Sequence, residues 1–146
     1  MKPRAAWPVL VKKAKEKCDE ATAALVKGRE RVAQMEQRRA RMAQLYQDYV
    51  QRSRDAERKS HRMAETLNFR GFMQQLQDLI MRVDLDLQHA RHEVDVLKQA
   101  LRAAEHKRIQ METLMEQDLK RVREHAMRRE QREMDAAGVM LYNLRP

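Results

Sequence analysis

Apolar residues recur at alternating spacings of three and four along most of the chain. The first series is Val11, Ala14, Cys18, Ala21, Leu25, Gly28, Val32, Met35, Arg39, Met42, Tyr46, Tyr49, Ser53, Ala56, Ser60, Met63 and Leu67, and thirteen of its seventeen positions are apolar. A second series starts out of phase with the first: Phe69, Met73, Leu76, Ile80, Val83, Leu87, Ala90, Val94, Leu97, Leu101 and Ala104, all eleven apolar. A repeat of 3.5 residues keeps its members on one side of a slightly underwound helix, where they face a partner helix. Two such stripes predict an all-α fold, a long two-helix antiparallel coiled-coil hairpin with an extended C-terminal helix.

The punctuation of the chain sets the element boundaries. Pro3 and Pro8 lie near the start and Pro146 closes the sequence, so no proline interrupts residues 9–145. Pro8 suits a first helical turn, where its missing N–H would have had no intrahelical partner. The first stripe weakens to Ser53, Ala56 and Ser60, and the phase breaks between Leu67 and Phe69. The expected organisation is one coiled-coil domain over 1–146, with helix one at about 8–56, a turn at about 54–66 and helix two at about 62–137. Ser60 is a candidate N-cap and Gly138 a candidate helix end. A single unbroken helix is the competing reading, and it would need a second chain to bury its stripe.

A turn near residue 60 makes position i face roughly position 121 − i, because the two strands of an antiparallel coiled coil run past each other in fixed register. Tyr49 then meets Phe72, Leu25 meets Val96 and Val11 meets Gln110. Helix one ends there, so residues 111 to about 137 would overhang without a partner in the chain. The regular series agrees, since it continues Arg108, Met111, Met115, Asp118, Val122, His125 and is only half apolar. A looser stripe of Met111, Met115, Leu119, Val122 and Ala126 crosses the same stretch. Within the seam, Arg39 is expected to run its stem along the interface and keep its charge in water. Gly28 is expected to admit the second helix closely. Cys18, the only cysteine, is expected to be a buried apolar residue.

Composition narrows the function. Charged residues make up 36% and aromatics 4% of 146 residues, a profile of helical coiled coils and not of a thick globular core. Three separated glycines cannot form a phosphate-binding loop. One cysteine excludes an intramolecular disulfide and a cysteine-based zinc site. His89 and His92 share a helical face, but no third ligand accompanies them. The residues therefore predict no catalytic site, no metal, no cofactor and no small-molecule substrate. The chain has no run of eighteen apolar residues and no signal-peptide pattern at its start, so no transmembrane segment and an intracellular location are expected.

The net charge of +9 is uneven: residues 1–41 hold twelve basic and five acidic side chains, 42–106 hold ten of each, and 107–146 hold nine and seven. Folding the chain back would gather the basic surplus at the end that carries the termini. Basic residues flanking a coiled-coil seam explain this without nucleic acid, since acidic residues are interspersed and aromatic stacking platforms are missing. Four of the six aromatic residues, Tyr46, Tyr49, Phe69 and Phe72, flank the proposed turn. With Leu45, Met73, Leu76, Leu79 and Ile80 they are more apolar positions than two seams can hide. Some must be exposed, and an exposed apolar patch marks a binding surface.

These residues also carry a family resemblance. The segments LYQDYVQ at 45–51 and NFRGFMQQLQDLI at 68–80, followed by a long charged helix and the tail REQREMDAAGVM, resemble the flagellar type III export protein family FliJ. Phe69, Phe72, Leu76 and Ile80 fit the aromatic-to-aliphatic run that opens the family's second helix. Arg38 and the position of Tyr46 depart from the family pattern. The resemblance implies a non-enzymatic stalk and adaptor, similar to the central stalk of rotary ATPases. It implies three partners: the export ATPase hexamer, the membrane export gate and the export chaperones. It implies a cytoplasmic protein held peripherally at the inner membrane by the export apparatus.

The gate-binding face it implies is Met42, Leu45, Tyr49, Phe72, Leu76, Leu79 and Val83, with Tyr46 beside it. The end that would dock in the ATPase ring offers the stripe Met111, Met115, Leu119, Val122 and Ala126 with Lys12, Lys13 and Arg121. A virulence-secretion variant, a structural coiled-coil scaffold and a basic nucleic-acid-associated coiled coil remain open on the residues alone.

Overall fold

The computed structural model describes residues 2–59 and 63–145, without the side chains of residues 63, 64 and 66. Two long helices pack against each other as a hairpin, α1 over Ala6–Arg58 and α2 over Met63–Asn143. Trp7 and Pro8 stand in the first turn of α1, where a helix has no use for a proline N–H. The N-cap expected of Ser60 lies outside the described residues. The helix end expected at Gly138 does not occur, because α2 continues to Asn143. A lone glycine lowers helix propensity by about 1 kcal/mol but does not force a stop unless its backbone turns left-handed. Gly138 keeps helical geometry with open space around it.

The helices form two compact units, Thr22–Ala100 and Met1–Ala21 with Leu101–Pro146. In the first, Leu25, Leu76, Val83, Leu87, Ala90 and Val94 are buried. The remaining seam residues of this unit, from Val32 to Ala56 on α1 and from Phe69 to Leu97 on α2, are partly covered. Antiparallel pairing is written in its cross-helix contacts. Arg31 Nη1 is 3.1 Å from Glu93, Arg91 Nη2 is 3.2 Å from Glu36, and Gln77 Nε2 donates to Tyr46 Oη over 2.9 Å. Tyr49 meets Phe72 as the register requires, with ring centroids 4.4 Å apart. Val96, the expected neighbour of Leu25, is half exposed. The seam beside it is made by Val94 and Leu97, which stand closest to the Gly28 backbone.

Two seam positions that break the apolar pattern have separate explanations. A Cβ on Gly28 would lie 2.9 Å from Leu97 Cδ1 and 3.4 Å from Val94 Cγ2. The missing side chain therefore lets the helices approach. Arg39 does more than reach for water, since its Nε donates to Asp84 Oδ1 on the other helix and its Nη2 lies 3.5 Å from Oδ2. Both side chains keep 43% of their surface exposed, so neither charge is stripped of solvent. The hydrogen bond to Asp84 first, and the Asp84 charge second, raise the Arg39 pKa further above its ordinary value.

In the second unit Val11, Ala14 and Cys18 are buried. On α2 the positions Leu101, Ala104, Arg108, Met111, Met115, Asp118, Leu119 and Val122 are partly covered. The overhang expected from residue 111 therefore begins later. The residues ahead of Val11 supply the missing cover, because the Arg4 backbone N–H donates to Asp118 Oδ2 over 2.9 Å and Trp7 is itself partly buried. The Trp7 indole N–H is covered and finds no acceptor among the described residues. Arg108 holds Glu112 at 3.2 Å, and Lys15 approaches the same carboxylate at 4.0 Å. The Glu112 charge, then its hydrogen bond, raise the Arg108 pKa, with a smaller contribution from the Cys18 thiol. Every residue from 123 to 145 is exposed.

Burial along a seam makes neighbouring residues unequal in a measurable way. Leu87 is 4% exposed and Leu85, two residues earlier, 57%. Leu87→Ala should lower the unfolding free energy by about 2–5 kcal/mol, and Leu85→Ala by no more than about 0.5 kcal/mol. Urea denaturation followed by circular dichroism measures both, and equal losses would contradict the seam.

Candidate partner-binding interface

The expected gate-binding face divides on folding. Leu76 and Val83 are 4% and 8% exposed and belong to the core. Met42, Tyr46 and Tyr49 are half-buried, and Leu45, Phe72 and Leu79 are exposed. The division follows from helical geometry: residues three or four apart share a face, and only one face of each helix meets its partner. Leu76 and Val83 keep the seam spacing, whereas Leu45 and Leu79 each precede a seam residue by one and are turned outward by about 100°.

Tyr46 and Tyr49 also part company. Tyr46 lines a groove with Gln74, Gln77, Asp78, Ile80 and Met81. Tyr49 lines another with Ala56, Glu65, Asn68, Phe69 and Phe72. The Tyr49 ring is tilted 35° to Phe72 and 59° to Phe69, whose centroid is 6.2 Å away. The Arg52 guanidinium carbon sits 5.5 Å from the centroid of the Tyr49 ring. The aromatic residues predicted to gather beside the turn do so, but on two surfaces. Such rings offer a large, stiff contact area, and tilted ring pairs hold one another in place.

The residues expected at the ATPase ring are likewise distributed. Met111, Met115, Leu119 and Val122 are partly covered by the packing of their own unit, and Ala126, Lys12, Lys13 and Arg121 are exposed. The exposed stretch that follows carries apolar residues that the sequence reading passed over: Met127, Met134, Val139, Met140, Leu141, Tyr142 and Leu144. Their signal was present, since Met127, Met134 and Leu141 stand seven apart. A helix end at Gly138 leaves only Met127 and Met134 of this series on the helix and cuts off Leu141. Met127, Met134 and Leu141 share one exposed helix face, and an apolar face of this kind is suited to another surface.

Among the described residues no three His, Cys, Asp or Glu side chains converge on a point that would hold a metal. No described helix is long and apolar enough to cross a membrane. Cys18 is buried.

The fold is that of a coiled-coil helical hairpin, with apolar side chains left exposed in each of its two compact units. The chain belongs to the flagellar FliJ protein family, whose model matches residues 8–146. Membership makes it a non-catalytic component of the flagellar export apparatus. Comparison with curated proteins and with solved structures gave no match.

The exposed arm should be dispensable for the hairpin. Removing residues 124–146 should change the urea-unfolding free energy by less than about 0.5 kcal/mol, since it deletes no buried contact. Mean helicity per residue should stay nearly constant. A large loss of stability would show that the arm packs on its own chain.

Proposed function

We propose that this chain is the stalk and adaptor of the flagellar export apparatus, acting on the cytoplasmic side of the inner membrane. One surface docks in the export ATPase ring, another engages the membrane export gate, and export chaperones are further partners. The observation that carries this reading is that apolar side chains remain uncovered in each compact unit after the seam is satisfied. The reading is also supported by the family, whose members are export components.

The ATPase-docking surface is assigned to the unit that holds both termini. Lys12, Lys13 and Arg121 supply positive charge, and Met111, Met115, Leu119, Val122 and Ala126 lead along α2 to the exposed Met127 and Met134. Charges steer the encounter and fix orientation, and the apolar stripe supplies most of the affinity. The gate-docking surface is assigned to Leu45, Tyr49, Phe72 and Leu79, with Met42 and Tyr46 at its margin. Leu76 and Val83 act from beneath, holding the α2 turns that present Phe72 and Leu79.

The mechanism is mechanical and regulatory. A stiff coiled coil inserted in a ring promotes assembly of the ring or transmits its asymmetry, and the protein itself makes and breaks no bond. Hydrolysis by the purified export ATPase should rise when this protein is added, together with the hexamer fraction seen by native mass measurement. Removing residues 124–146 should abolish that rise. Tyr49→Ala with Phe72→Ala should reduce capture by gate-containing membranes about tenfold or more, the scale of losing aromatic hot spots, and leave the helix signal nearly intact. An ATPase whose rate and assembly ignore the protein, with no co-purification, would overturn the reading.

A further inference from the structure

Two surfaces with no role in holding the hairpin together complement each other. The first is a groove in the unit Thr22–Ala100. It encloses about 310 Å³ and is lined by Arg29, Val32, Arg91, Val94, Asp95 and Lys98. The two valines belong to the seam and give the groove an apolar floor. Around them stand three cations and one carboxylate. Arg91 is bonded to Glu36 across the helices at 3.2 Å. Seven residues back along α1 and seven on along α2, the same flank reaches Arg29 and Lys98. A coiled coil gains from opposite charges at matched flanking positions, and here two like charges share one groove. Among the described residues neither Arg29 nor Lys98 has an ion-pair partner.

The second surface is the exposed arm of α2. Met127, Glu130, Met134, Ala137, Leu141 and Leu144 follow one another at spacings of three and four. This is a stripe of the same kind as the seam, and all six residues are exposed. Glu130 is its only charged member, and it forms no ion pair among the described residues. That carboxylate decides what the stripe can pack against. Two arms paired in parallel would set Glu130 against Glu130. Two arms paired antiparallel, with Met127 matched to Leu144, would set Glu130 against Leu141 and bury a carboxylate without a cation, which is costly. The stripe calls instead for an apolar surface bordered by positive charge.

We propose that the arm of one copy docks in the Arg29–Arg91–Lys98 groove of a second copy of this chain. Glu130 pairs with Arg29 and Lys98, and Met127 and Met134 on either side of it cover Val32 and Val94. Charge complementarity sets the place and the orientation, and the apolar contact supplies most of the affinity. A mutual exchange of arms closes a two-fold pair, and one-way docking adds copies head to tail. Docking of this kind goes beyond the proposed function. The same arm is assigned to the ATPase ring, so a self-docked arm and a ring-docked arm exclude each other.

Sedimentation equilibrium of the full chain over a concentration series measures the association. The wild-type chain should exceed the monomer mass. Glu130→Lys should weaken association about tenfold or more, and so should Arg29→Glu combined with Lys98→Glu. All three substitutions in one chain exchange the signs at the contact and should recover most of the loss. A wild-type chain that stays monomeric up to its solubility limit would overturn the proposal. If the Val32 and Val94 methyl signals of such a monomer shift with a glutamate-bearing amphipathic peptide, the groove belongs to another protein. A groove variant that associates as tightly as wild type would place the contact elsewhere and overturn the proposal too, as would a triple variant no tighter than the partial ones. Arg29, Lys98 and Glu130 are exposed, so their substitution leaves the seam in place, and circular dichroism of each variant checks this.

Discussion

Two helices lying side by side share one line of contact. Each can bury about two residues per heptad against the other, and no second layer exists to receive the rest. The buried set shows the consequence: among the described residues it consists of Val, Leu, Ala and Cys side chains, none fully enclosed, with no polar side chain among them. Stability is therefore collected in small amounts along the seam. Every apolar side chain in excess of two per heptad must face outward. Leu45, Leu79 and Leu85 are exposed for this reason, although nothing in their residue type distinguishes them from Leu76 or Leu87.

A seam of near-equivalent apolar residues does not fix its own register, because sliding by a heptad replaces one leucine with another. Groups that cannot be replaced in this way fix it. Arg39 has its carboxylate partner in Asp84, and a slip would leave both without a cross-helix partner. A Cβ on Gly28 would press on the tip of the Leu97 side chain and touch Val94, so a slip that put a larger residue there would make Leu97 shift. Tyr46 and Gln77 add a hydrogen bond that only one alignment permits. None of these contributes much energy at the surface, but each removes alternatives, which is the better-attested use of polar groups in coiled coils.

Periodicity made the hairpin legible in the residues alone. The phase break between Leu67 and Phe69 signalled two helices, and the contact of Tyr49 with Phe72 followed from counting across the turn. What periodicity could not supply was cover from outside the pattern. The residues ahead of Val11 break the seam, so their packing against the Asp118 region was invisible, and the overhang was expected to begin at 111 instead of after Val122. Gly138 misled because propensity is a local quantity, and one glycine is too weak to end an α-helix without a left-handed turn.

The candidate gate face divides between core and surface for a different reason. A linear motif names residues in order, whereas a helix assigns them to faces by angle. Leu76 and Val83 keep the seam spacing and lie in the core, whereas Phe72 stands off it and is exposed; the separation of Tyr46 from Tyr49, both on the seam, comes from the three-dimensional placement of their neighbours.

That division has a bearing on how a two-helix protein can bind a partner without coming apart. A partner that required Leu76 or Val83 would have to open the seam, and a thin core tolerates little loss. Leu45, Phe72 and Leu79 are available with the seam closed, and each stands within one helical turn of a seam residue. Their positions are set by the same packing that hides Leu76 and Val83. A core variant such as Val83→Ala would thus disturb the proposed partner surface without touching it, by loosening the α2 turns that carry Leu79 and Phe72. Loss of binding on mutating a motif residue is therefore not evidence of contact in this fold. Contact is established only where binding falls while the unfolding free energy holds, and the exposed side of each helix is where the two separate.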